Sequence, residues 1–83
     1  MIIKSVTFQI FENQTLHLQH VGEFVITNTG ETTVKVNGRT ITPGLSISFM
    51  RGLFSESFTL EVEFMSEQNK QNQIELSYLV NDE

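Results

Sequence analysis

From Val6 to Val80 the apolar side chains of this chain recur at every second position, and no stretch carries the 3.6-residue period of a helix. That alternation is the strongest constraint on the fold, because a period of two gives an extended strand one apolar and one polar face. Val6, Phe8 and Ile10 alternate with Ser5, Thr7 and Gln9, and Leu16 and Leu18 alternate with His17 and Gln19. Gly22 reads as a break before Phe24-Val25-Ile26, a strand apolar on both faces and expected to be covered on both. Thr33 to Val36 and Arg39 to Thr42 are short strands. Leu45, Ile47 and Phe49 alternate with Ser46 and Ser48, and Phe58 to Phe64 and Ile74 to Val80 form two longer alternating runs.

The breaks between these runs carry turn chemistry. Asn37-Gly38, set between Val36 and Ile41, suits a type I′ hairpin, whose two central residues both need positive φ. Pro43-Gly44 suits the centre of a type II turn, Asn28-Thr29-Gly30 forms another turn, and residues 66–72 form a polar loop. The expectation is one all-β domain over residues 1–83, an antiparallel β-sandwich, jelly-roll or immunoglobulin-like, of seven to eight short strands.

Size then limits how such a domain can be stable. A chain of 83 residues buries a small core, and small domains add disulfides, a metal or self-association. Cysteine is absent, which removes disulfides and thiolate metal sites and leaves self-association or docking on a larger assembly. Several apolar residues fall on the wrong parity for their strand or in a loop, and Ile3, Phe11, Met50, Leu53 and Phe54 are the candidate interface. Val25, Met65 and Leu79 share the wrong parity.

A net charge of −5 with scattered Lys and Arg gives no footprint for nucleic acid or anionic lipid. Met1 to Phe8 lack a basic region leading into a long apolar run, and no membrane span follows, so classical export is not expected.

No set of residues carries obvious chemistry. His17 and His20 are three apart on a strand and therefore face opposite ways, which opposes a shared metal. Glu61, Glu63 and Glu75 share one outer face if the last two long strands pair as a hairpin, where they form a solvated acidic row. Calcium-type acidic loops, glycine-rich phosphate loops and a Gly-x-Ser-x-Gly elbow are all missing from the sequence. Asn13-Gln14-Thr15 fits the N-glycosylation pattern, as chance matches do in an Asn- and Thr-rich chain. The reading is therefore non-enzymatic, with no cofactor, metal or small-molecule substrate.

The stretch Phe24 to Phe49, F-V-I-T-N-T-G-E-T-T-V-K-V-N-G-R-T-I-T-P-G-L-S-I-S-F, is similar to small β-sandwich structural proteins of bacteriophage virions. In these an Asn-x-Gly turn precedes Val-x-Val-Asn-Gly, a Pro-Gly turn and an alternating Ser/apolar strand. The resemblance extends loosely through Phe58 to Val80 and matches the turn residues Asn28, Gly30, Asn37, Gly38, Pro43 and Gly44, an architectural set with no catalytic or ligand-binding member. It implies a capsid-associated, vertex, spike or tail subunit, assembled in the host cytoplasm, with further copies of itself and other virion proteins as partners. Adhesion-type sandwiches that bind carbohydrate or protein use the same turns and give the alternative reading.

Overall fold

A computed structural model describes residues 3–19, 21–49 and 57–81. Met50, Leu53 and Phe54 of the expected interface lie outside the described residues, as does His20. The strands are β1 (Ile3–Ile10), β2 (Gln14–Gln19), β3 (Val21–Asn28), β4 (Val34–Val36), β5 (Arg39–Ile41), β6 (Ser46–Phe49), β7 (Ser57–Phe64) and β8 (Ile74–Asn81). All pair antiparallel.

The pairing is nested about one point. Asn37 (φ 50°) and Gly38 (φ 80°) turn β4 back onto β5, with Val36 opposite Arg39, as a type I′ turn requires. Outward from this apex β3 pairs with β6, β2 with β7, and β1 with β8. The chain is thus doubled back on itself as one long ribbon. Rolling the ribbon adds two pairings, β3 with β8 and β4 with β7. The products are two four-stranded sheets, β1-β8-β3-β6 and β2-β7-β4-β5, packed as a sandwich. Of the two expected topologies this is the jelly-roll order, not the immunoglobulin one.

The alternation places the core as it should. On β7, Leu60, Val62 and Phe64 point inward while Thr59, Glu61 and Glu63 point outward. Phe24 and Ile26 from β3, Ile74 and Leu76 from β8, and Val34, Val36 and Ile41 from the hairpin meet them between the sheets. Burial of each such side chain is worth about 1.5–3 kcal/mol.

Three expectations change. Gly22 does not end a strand; it lies inside β3, where the register with β8 shifts between Val21 and Phe24, a bulge that bends the strand. β3 is covered on one face only, since Val25 is half-exposed beside fully buried Phe24 and Ile26. Leu45 is not a core residue. It follows the Pro43-Gly44 turn, its N–H donating to the Thr42 carbonyl (3.1 Å), and its side chain is left on the surface.

Candidate functional site

Three sets of residues bear on what the molecule can do: the acidic face, the turn cluster around Asn28 and the exposed apolar side chains.

On the outer face of β2-β7-β4-β5, Glu61 lies opposite Thr15 and Glu63 opposite Lys35. With Asn13 and Gly38 these residues line a shallow groove of about 400 Å³. Both carboxylates are exposed. Glu75 is elsewhere, because β7 and β8 belong to different sheets and never pair; it sits between Gln9 and Thr27 on the other sheet. The three-carboxylate row expected from a β7–β8 hairpin therefore does not form. His17 is an exposed neighbour, with Nδ1 3.3 Å from the Thr59 hydroxyl. Among the described residues no cluster of three or more His, Asp or Glu converges as metal ligands would. The face is wet and charged, and its groups are suited to hydrogen bonding with a polar partner.

The turn residues do more than reverse the chain. Asn28 is buried, and its side-chain amide donates to the carbonyls of Thr32 (2.8 Å) and Ile41 (2.9 Å). Its Oδ1 accepts from the Gly30 N–H (3.0 Å), and its backbone exchanges bonds with Leu45 and Gly44 (2.9 Å each). Because Ile41 belongs to one sheet and Asn28 to the other, this side chain ties the sheets together. Gly30 has no room for a side chain: a Cβ would stand 2.5 Å from the Gln73 nitrogen and 2.8 Å from the Gln71 carbonyl oxygen. Close approach, not positive φ, demands glycine there. Buried Thr32 donates to Asn72 Oδ1 (2.6 Å), Asn72 donates to Ser66 Oγ (2.9 Å), and the Glu31 N–H reaches the Gln71 carbonyl (2.8 Å). The loop after β3 is thereby clasped to the loop before β8.

Asn37 acts as a short extension of the sheet. Its amide donates to the Thr59 carbonyl (3.1 Å), and its Oδ1 accepts from the Glu61 N–H (2.7 Å). Gly44 (φ 87°) completes the type II turn with Pro43. Asn13, in the glycosylation-like triplet, uses its Oδ1 to accept from the Phe64 N–H (2.7 Å).

The third set of residues is apolar. Ile3 and Phe11 are 42% and 48% exposed, and Leu45 and Met65 join them as exposed large hydrophobic residues. Parity alone sets Ile3, Phe11 and Met65 apart from their neighbouring apolar rows. It does not set Leu45 apart, because its spacing from Ile47 and Phe49 is that of a core position and only the turn geometry turns it outward.

No protein-family model, curated protein or solved structure matches the chain. No helix among the described residues is long and apolar enough to cross a membrane.

Proposed function

We propose that the chain is a non-enzymatic structural subunit of a bacteriophage virion, a capsid-associated, vertex, spike or tail component that works by self-assembly and docking. The observation that carries this reading is the exposure of Ile3, Phe11, Leu45 and Met65 around a filled core, apolar area that contact with a neighbour would remove from water. Four unpaired sheet edges accompany them among the described residues, and the jelly roll is an architecture that capsid domains use, a fold-level analogy. The partners would be further copies of the chain and other virion proteins. Incubating purified protein with phage particles that lack it, followed by density-gradient sedimentation, tests the reading. Co-sedimentation at fixed stoichiometry supports it, and protein left wholly at the top of the gradient defeats it.

The polar groove beside Glu61 and Glu63 favours a second reading, an adhesion-type module for carbohydrate or protein. Jelly rolls serve lectins as well. The sole tyrosine, Tyr78, stacks inward on Phe24 rather than lining that groove, so a sugar would be held by hydrogen bonds alone. Saturable binding on a glycan array, lost in Glu61→Gln, is the expected mark of this alternative.

A further inference from the structure

β1 pairs with β8 on one side, and its other side meets no strand among the described residues. It is long for an edge strand, eight residues, and carries no proline and a single charge, Lys4. These are features that exposed edges usually avoid, because an unprotected edge is a template for another strand. Exposed side chains at its two ends add a second signal. Ile3 opens β1 and Phe11 follows its last residue; both are exposed and lie four residues either side of Thr7, so Thr7 is the midpoint between them.

We infer that β1 pairs antiparallel with β1 of a second copy about a two-fold axis at Thr7, placing Ile3 of each chain opposite Phe11 of the other. This rests on the assembly reading and deepens it by naming the first occupant of the surface. The register follows from elimination. A slip of one residue sets core-facing side chains against outward ones, so only axes passing through a residue keep the faces matched. An axis at Val6 puts Ile3 against Gln9 and leaves Phe11 without an opposite residue in the strand. An axis at Phe8 puts Phe11 against Ser5 and strands Ile3. Only the Thr7 axis covers both. The same register sets Val6 against Phe8, continuing the inner apolar row, and sets the two copies of Lys4 at opposite ends. Each Lys4 then faces Ile10 of the other copy. The β1-β8-β3-β6 sheets of the two copies become one continuous sheet.

The cysteine-free chain gives a direct test. Residues facing each other in an antiparallel pair have Cα atoms about 4.5–5.5 Å apart, inside the roughly 4.4–6.8 Å span of disulfides. Under mild oxidation at micromolar concentration, T7C is expected to form a disulfide dimer at least tenfold faster than T59C, whose residue lies on the outer face of the other sheet. A mixture of S5C and Q9C should give the mixed dimer faster than either homodimer, because Ser5 faces Gln9. T7K sets two ammonium groups on the axis and should raise the dimer dissociation constant at least tenfold by light scattering, with a melting curve unchanged at dilutions where the wild type is already monomeric. Equal rates for T7C and T59C, a preferred S5C homodimer, or an undiminished T7K dimer would each overturn the inference. Particle co-sedimentation is read separately, so a dimer that ignores phage defeats the virion reading alone, and a particle-bound monomer defeats this one alone.

Discussion

Around Asn28 the space between the sheets is filled by Ile10, Ile26, Val34, Ile41, Phe64 and Ile74, all buried, and is closed by the Asn28 and Thr32 bonds. Around Phe24 the filling is aromatic. Phe24 stacks on Tyr78 (centroids 5.7 Å apart) and meets the edge of Phe58 (5.2 Å), while Phe8 sits edge-on to Tyr78 (6.1 Å). Phe8, Phe58 and Tyr78 remain half-exposed. The contrast separates two ways of holding sheets together. Directional bonds with no water to replace them fix how one sheet is placed on the other, and losing a partner strands a buried polar group. Ring contacts are non-directional by comparison, and neighbouring rings adjust when one is changed.

The sharpest way to break this comparison is Asn28→Ala. It strands the Thr32 and Ile41 carbonyls and the Gly30 N–H, and is expected to cost about 3 kcal/mol in urea unfolding. A loss under about 1 kcal/mol would place the clasp among ordinary surface turns. Gly30→Ala should come next, at about 2 kcal/mol, because the clasped loop must move away from Gln71 and Gln73 to admit a methyl group. Differential scanning calorimetry checks it, and a melting temperature equal to wild type would mean that the two loops part freely. Phe58→Leu should cost least, about 1 kcal/mol, since it keeps apolar volume while giving up one edge-to-face contact. If Phe58→Leu proved worse than Asn28→Ala, the roles of the two halves would be reversed.

How much of this could be read from the sequence follows the range of the forces involved. Alternation marks each strand locally, and positive φ at Asn37 and Gly44 is written in the residues that tolerate it. The order of strands was out of reach. A polar run such as residues 66–72 serves equally as a hairpin loop or as a crossing between sheets, and here it crosses, which separates Glu75 from Glu61 and Glu63. Asn28 looked like any turn asparagine because its partners, Thr32 and Ile41, become neighbours only after the sandwich closes. The need for glycine at position 30 is set by a segment some forty residues away. Of the expected interface, Ile3 and Phe11 are at the surface, as their parity required.

The nesting of the strand pairs about Asn37-Gly38 also ranks them by the length of loop each must close. Among the paired strands only β4 and β5 are close in sequence, so their hairpin closes the shortest loop and can form on its own microsecond scale. Each further pair brings together segments more distant along the chain, at a cost that rises only slowly once the inner pair is made. On loop-closure entropy alone, pairing from the apex outward is the cheapest route, and on that route β1 meets β8 last. The strand that pairs on one side only among the described residues is also the strand whose own place in the sheet is settled at the end of that route.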